Sequence, residues 1–395
     1  MNPAILHPDV QQFISENLNA DISKLLFKGS PFAKVSIQEI ATQIVAKKKS
    51  EKKLPSWFQT ENIYYPPKVN IEQTSSETTA DYKASLLSGD SIVDITGGFG
   101  VDCHSFSKKF NHVTHCELNT NLSTIVNNNY QQLKTNNIQT FSGDGLEFLK
   151  NSTKNFDWIY IDPSRRDDSD KKVFLLNDCL PNVPKNLKLL FSKTINILIK
   201  NSPILDISKT IDELNFVKQI HIVAVANEVK ELLFILEKNY TSSIEIRTIN
   251  FQKNNTQSFD FQFNRNISSN YSSPKKYIYE PNAAILKSGG FHEISSQLNL
   301  EKLHQHSHLY TSNELILFPG RTFLVEQACS YNKKEIKKHL TDNKANITTR
   351  NFPETVAQIR KKTKIKEGGF QYLFFTTVQN NKHIVLITSQ VFQQF

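Results

Sequence analysis

The spacing of apolar positions changes character twice along this chain. Up to about residue 70 the period is helical. Residues 10–18 and 22–26 carry apolar side chains three and four apart, and residues 36–45 repeat this ahead of a charged stretch, 47–53. Pro66 and Pro67 close that segment. From about 90 to 240, short β-branched runs alternate with helical stretches. Runs 91–95, 113–117, 138–141, 158–162, 195–199 and 220–225 predict successive strands of a parallel sheet with helices on both faces. Residues 232–236 follow the last run almost directly, through Asn227 and Glu228, so those two strands must be antiparallel. The stretch 264–274, rich in Asn, Ser, Tyr and Pro, reads as a linker. Beyond it come a strand at 277–280, a helix from Pro281, a strand at 314–326 and a helix through 333–340. A strand at 347–349, a helix through 355–362 and a hairpin 372–378/383–388 turning at Gln379, Asn380, Asn381 and Lys382 complete one or two small α+β units. There is no internal repeat.

Composition narrows the class. With 395 residues, 38% hydrophobic and 22% charged, there is material for two or three domains with real cores, and collagen-like or low-complexity chains are excluded. Cys103, Cys116, Cys179 and Cys329 show no paired spacing, which predicts reduced thiols and no zinc site. No apolar run approaches the ~18 residues of a membrane span, and the start lacks a basic region followed by an apolar one. A cytoplasmic protein is expected. The net charge is +9, and residues 275–395 alone hold 17 Lys/Arg against 9 Asp/Glu. Lys333, Lys334, Lys337 and Lys338 form one cluster; Arg360, Lys361, Lys362, Lys364 and Lys366 form another. Such clusters are either solvated helix faces or an electrostatic footprint for a phosphate backbone, and their confinement to one region favours a nucleic-acid partner.

Candidate chemistry lies at the strand ends. The first strand runs through Asp94 into Gly97, Gly98 and Gly100 before a helix, a turn in which a cofactor can approach bare backbone. Glu117 ends the second strand, where an acid accepts from ribose hydroxyls, and Asp144 ends the third, where a carboxylate can accept from an adenine amino group. The glycines do not match GxGxxG, and no basic residue lines the turn to meet a pyrophosphate. An adenosine without phosphates, as in S-adenosylmethionine, fits better. Asp162-Pro163 ends the fourth strand beside the same crevice; its plainer reading is an Asx-turn.

In this order these residues resemble the class I S-adenosylmethionine-dependent methyltransferases over roughly residues 73–250. Further stretches narrow the likeness: Glu72 to Lys83, Asp162 to Arg166, Lys200 to Asp206, Asn227 to Leu233, Tyr279 to Lys287, and Arg350 to Pro353. Together they are similar to bacterial methyltransferases with ferredoxin-like and THUMP-like C-terminal domains. The resemblance implies an α/β fold, a Rossmann-like seven-stranded methyltransferase sheet with an antiparallel last strand, plus an N-terminal helical region and small C-terminal α+β domains. Its implied divisions are 1–72, 73–265, 274–320 and 321–395. Cofactor contacts carry over to Asp94, Thr96, Gly97, Gly98, Phe99, Gly100, Glu117, Asp144 and Asp162. Because THUMP domains bind RNA, it implies a tRNA or rRNA substrate held by the basic C-terminal region, without a metal or a membrane.

Methyl transfer is an in-line displacement, so the protein mainly aligns the acceptor. Asp162, Pro163, Arg165 and Lys200 are the candidate catalytic group, with Asp162 receiving or orienting the proton of a base nitrogen. Ser164 and Arg165 stand where enzymes acting on exocyclic amines often carry Pro and an aromatic. Arg165 and Arg166 could hold a phosphate or stack on a base, or pair with Asp167 and Asp168. No cysteine sits at a strand end for pyrimidine carbon-5 chemistry, and buried structural thiols are expected. Lys83, Asp162, Lys200 and Glu228 follow the order of the ribose 2′-O-methyltransferase tetrad, an alternative. His304, His306 and His308 would share a face only on a strand; surface histidines are the simpler reading. The leading reading is an RNA methyltransferase whose N-terminal helices cover the site. A non-catalytic RNA-binding protein of the same fold, and a methyltransferase of a small molecule or protein, compete with it.

Overall fold

The computed structural model describes residues 1–165 and 175–393, with the Arg165 side chain outside the description. The expected strands form as β1 (Ser91–Asp94), β2 (His112–Glu117), β3 (Ile138–Ser142), β4 (Trp158–Ile161), β5 (Asn196–Asn201), β6 (Val217–Val225) and β7 (Glu228–Glu237). Two more follow, β8 (Glu245–Phe251) and β9 (Thr256–Gln262), and the hydrogen-bonded order is β9-β8-β6-β7-β5-β4-β1-β2-β3. The sheet thus has nine strands where seven are expected. β1 is parallel to β2 and β4, β2 to β3, and β4 to β5. Covered on both faces, β1, β4 and β5 are largely apolar: Ile92, Val93, Ile159, Ile161, Ile197, Leu198 and Ile199 are all fully buried.

The chain divides into two compact units, Met1–Val217 with Phe234–Thr241, and Lys218–Leu233 with Ser242–Phe395. In the first unit, the helix Ile37–Lys53 starts at a reciprocal cap between Ser36 and Glu39 and runs on through the charged stretch. Its last-turn lysines suit the negative helix end, and Lys48 pairs with Glu51 at 2.9 Å. Side-chain amides tie this region down. Gln43 bonds both backbone groups of Tyr65, donating at 2.6 Å and accepting at 2.9 Å. Asn129, on the helix Thr120–Gln132, does the same for Tyr64 at 2.9 Å in each direction.

In the second unit, β6 and β7 are joined by Ala226 and Asn227 alone, with φ of 50° and 62°. Positive φ at both positions is the two-residue turn that reverses a twisted strand, so the expected antiparallel step is built by a tight hairpin. β8 runs parallel to β6 and antiparallel to β9. A second sheet comprises β10 (Tyr277–Pro281), β11 (Glu301–Lys302), β12 (Tyr310–Ser312), β13 (Gly320–Ser330), β14 (Asn346–Arg350), β15 (Gln371–Val378) and β16 (Lys382–Val391), ordered β11-β12-β10-β13-β16-β15-β14. Leu373, Phe374 and Phe375 alternate between two buried clusters, which is why β15 reads as an unbroken apolar run.

Several expectations shift. The strand placed at 314–326 is β13, which starts only after Pro319; Leu315 and Leu317 before it are exposed. The helix from Pro281 starts one step later, Asn282 capping Ala283–Ser288, because Pro281 still belongs to β10. The hairpin turn at Gln379, Asn380 and Asn381 forms as placed. His304, His306 and His308 lie in a turn rather than on a strand, so a shared strand face does not arise; His308 stacks on Phe291 with 3.7 Å between ring centres.

Candidate functional site

The first unit gathers its acids at the carboxyl ends of adjacent strands. Asp94 is 1% exposed and accepts from the Thr96 N–H at 2.8 Å and hydroxyl at 3.1 Å. The same hydroxyl accepts the Asp162 N–H at 2.7 Å, locking the end of β4 to the turn after β1. Burial pushes the Asp94 carboxyl up to about 7; the Thr96 N–H opposes this and the neighbouring Asp102 carboxylate adds to it. Glu117 accepts the Gly98 N–H at 2.8 Å on one oxygen and the Asn119 N–H at 2.7 Å on the other. Its carboxyl is also raised, by burial first.

Glu117 is the register partner of Ser142, and the Gly143 N–H donates to the Glu117 carbonyl at 2.9 Å. Asp144 follows at once. It is exposed and caps the helix Gly145–Asn151, accepting from Leu146 and Glu147 N–H groups at 2.7 and 3.1 Å on one oxygen. A Cβ on Gly145 would come within 2.4 Å of the Ile95 carbonyl oxygen, so the ends of β1 and β3 touch. Glu117 and Asp144 therefore leave the same edge of the sheet, both on the β2–β3 side of the glycine turn.

Within that turn two glycines do different work. Gly100 has φ +82° and starts the helix Val101–Ser107; a Cβ there would lie 2.2 Å from the Tyr130 hydroxyl. Gly98 has φ +57°, and its Cβ would meet nothing closer than 3.8 Å. Space over Gly98, beside Glu117, is where an adenosine-bearing group can come against main chain. Phe99 turns the other way: it is buried and packs on Trp57, with ring centres 4.7 Å apart, so its side chain braces the N-terminal helices rather than facing the acids.

At the end of β4, Asp162 and Lys200 form an ion pair, with Lys200 on β5. Pro163 and Ser164 follow, Ser164 and Arg165 pairing with Cys179 and Leu180 in a short antiparallel bridge. Arg166, Asp167 and Asp168 lie outside the described residues.

Sequence reading did not assign Asp102. It sits in the first turn of the helix after the glycines and accepts from Tyr160 at 2.8 Å and Ser75 at 2.9 Å, with Lys83 Nζ 3.2 Å from its second oxygen. Burial pushes this carboxyl up, but the Lys83 and Lys200 ammoniums and the two hydroxyls outweigh it and hold it below the ordinary range. Lys83 has no exposed side-chain surface. A lysine so enclosed cannot reach a substrate hydroxyl, and Glu228 pairs with Lys230 at 2.6 Å. The lysine-based tetrad is therefore not carried forward. Leu118 was also missed: directly after Glu117, it is 73% exposed, an apolar surface beside that acid. A bulky apolar residue flanking a strand-end acid is the signal that could have found it. Cys103, Cys116 and Cys179 are buried, as expected of structural thiols. No group of His, Cys, Asp and Glu fit to hold a metal occurs among the described residues.

Comparison with known proteins gives three family matches. Residues 66–222 match the family described as conserved hypothetical protein 95, residues 277–319 a ferredoxin-like domain, and residues 320–390 a THUMP domain-like family. A crystal structure of a "putative methyltransferase" from Porphyromonas gingivalis W83 is 31% identical, with a TM-score of 0.89 over 98% of each chain. M. capricolum TrmK, solved with S-adenosyl-homocysteine, is 19% identical over 42% of this chain and 69% of its own, with a TM-score of 0.31. An rRNA methylase from Streptococcus thermophilus is 14% identical over 41% and 94%, with a TM-score of 0.30. No curated protein matches.

Proposed function

Because this chain belongs to the family of class I S-adenosylmethionine-dependent methyltransferase-like proteins with ferredoxin-like and THUMP-like C-terminal domains, we propose that it methylates a nucleotide of tRNA or rRNA, at a base nitrogen. The observation that supports this most directly is the set of acids ending β1 to β4 on one sheet edge, around a glycine turn left open at Gly98. In this reading Glu117 takes the ribose hydroxyls on its remaining lone pairs, Asp144 takes the adenine amino group, and Leu118 lies against a purine face. The main chain at Thr96, Gly97, Gly98 and Gly100 forms the floor. S-adenosylmethionine, when bound, supplies a methyl group on a sulfonium centre open to in-line attack.

The acceptor is positioned by this chain's residues. Thr96 fixes the main chain of Asp162, and Lys200 holds one of its carboxylate oxygens. The other oxygen can accept the N–H of a base nitrogen and take up its proton as the nitrogen is methylated. Pro163 and Arg165 complete the acceptor side, and the basic residues of 275–395 dock the RNA.

Isothermal titration with S-adenosylmethionine tests the cofactor half. Glu117→Ala and Asp144→Asn, the latter keeping the helix cap, are each expected to weaken binding at least tenfold; unchanged affinity in both removes the assignment. Mass spectrometry of RNA from a deletion strain and its parent tests the substrate. One missing methylated nucleoside, restored by the wild-type gene and not by Asp162→Ala, is the expected result. An identical nucleoside profile in the two strains argues for a protein that binds RNA without modifying it.

A further inference from the structure

The second unit displays an aromatic ring that its own packing does not explain. Phe370 is 97% exposed and makes no ring or cation contact among the described residues. It follows Gly368 and Gly369, at φ +99° and +82°, which hold the backbone in a conformation that lifts the next residue off the surface. A Cβ on Gly368 would meet nothing within 4 Å. The base of this loop is fixed. Ile365 is buried, Arg360 donates to the Ile365 and Ala345 carbonyls at 3.2 Å each, and Lys344 and Lys366 are bridged through backbone pairing. Asn346 donates to the Gly369 carbonyl at 3.0 Å, and Gln371 is held by Glu326 at 2.7 Å.

Lys344 lies against Gly369, beside the ring, and Lys361, Lys364 and Lys366 precede the ring closely in the chain. Lys344, Lys361, Lys364 and Lys366 are exposed, and none makes an ion pair among the described residues, whereas Lys362 is taken by Glu354 at 2.7 Å. The acids nearby are Glu326, which engages Gln371, Glu354, which engages Lys362, Glu367, and Asp342, one oxygen of which is engaged by the Lys344 N–H at 2.9 Å. An exposed apolar ring after a glycine pair, close in the chain to exposed ammoniums, is complementary to a chain of alternating flat bases and phosphates.

We propose that Phe370 is a stacking platform for an unpaired nucleotide of the RNA substrate, with Lys344, Lys361, Lys364 and Lys366 meeting the flanking phosphates. This rests on the RNA reading above and adds to it: the docked segment is single-stranded, because bases inside a duplex are already stacked and offer no face to a ring.

The test uses the full chain, with fluorescently labelled single-stranded RNA of mixed sequence and the blunt duplex of the same sequence. Phe370→Ala is expected to weaken single-strand binding about tenfold, the usual worth of one base on an aromatic ring, and to leave duplex binding and the melting temperature unchanged. Phe370→Trp should keep the affinity, and the emission of the introduced indole should be quenched by single-stranded RNA; the two native tryptophans, Trp57 and Trp158, are buried. Lys344→Gln with Lys366→Gln should lower the slope of log affinity against log salt by about 1.4. If wild type binds RNA and Phe370→Ala binds equally well, the platform is overturned and the RNA reading stands. If wild type binds neither RNA at low salt, both fall. Sedimentation with phosphatidylglycerol vesicles that is lost in Phe370→Ala, without RNA binding, assigns the ring to a lipid surface and overturns the proposal.

Discussion

Asp102 shows how a residue outside the reacting group can set its electrostatics. Lys83 is enclosed completely, and an enclosed ammonium survives only with a partner; Asp102 supplies that charge while Tyr160 and Ser75 fill its other oxygen. Asp102→Asn keeps the shape and removes the charge, so it is expected to destabilise the fold by about 3–5 kcal/mol in urea unfolding. Because the folded carboxyl titrates below its ordinary range, the stabilisation it gives is complete at neutral pH and disappears only as pH falls through that lowered value. Wild type and Asp102→Asn should converge in strong acid. Parallel stability curves from pH 7 to pH 2 would show that the pair contributes nothing through charge. Asp102 was not legible because it lies inside a helix, whereas the acids that were recognised end strands. Only the fold brings Ser75, Lys83 and Tyr160 to it.

Among elements, the glycine turn separates folding from binding. Gly100→Ala forces a side chain into the left-handed region against the Tyr130 hydroxyl, and a loss of 2 kcal/mol or more, about the cost of strain plus a clash, is expected in thermal unfolding. Gly98→Ala bears the conformational strain alone, about 1 kcal/mol, but places a methyl in the open space beside Glu117. Its prediction is near-native stability with cofactor affinity reduced at least tenfold in titration calorimetry. Equal loss of stability in both variants would mean that the turn is only a packing device. The core strands β1, β4 and β5 were legible because burial on both faces demands nearly unbroken apolar runs. β8 and β9 were not, since β8 turns Ile246, Thr248 and Asn250 inward and keeps Ile249 and Phe251 half-exposed. Its apolar letters do not alternate. Asn250 is satisfied by Gln257, at 3.1 Å, and Gln257 in turn accepts from Asn282 at 3.2 Å. Polar partners of this kind leave no periodic trace, so a strand built on them goes unassigned.

For the whole molecule, acid response follows from groups in both units. His115, in the first, and His221, in the second, are fully buried, and burial lowers them to about 4 and about 3. An unfolded histidine titrates near ~6.5, so below that pH the unfolded chain takes up protons that these folded rings refuse. Their stabilisation is complete above about pH 6.5 and is lost as pH falls toward 4, at about 1.4 kcal/mol per pH unit for each ring. Asp94 works in the opposite sense: raised to about 7, it holds a proton between pH 4 and 7 that an unfolded aspartate releases, so acidification favours the fold through this group. These two rings against one carboxyl leave a net loss, and His104 and His308, also lowered to about 4 by burial, add to it. The urea midpoint should therefore fall between pH 6.5 and 5, and it should fall more steeply in Asp94→Asn, where the opposing proton is gone. An Asp94→Asn profile parallel to wild type would show that Asp94 is ionised in the folded protein, and a midpoint that rises on acidification would show that the buried rings do not dominate the response. Ionisation of Asp94 would also place a full negative charge under the glycine turn, where the proposed function puts a cationic sulfonium cofactor. Binding of S-adenosylmethionine should accordingly release a proton near pH 7, detectable as a buffer-dependent heat that Asp94→Asn abolishes.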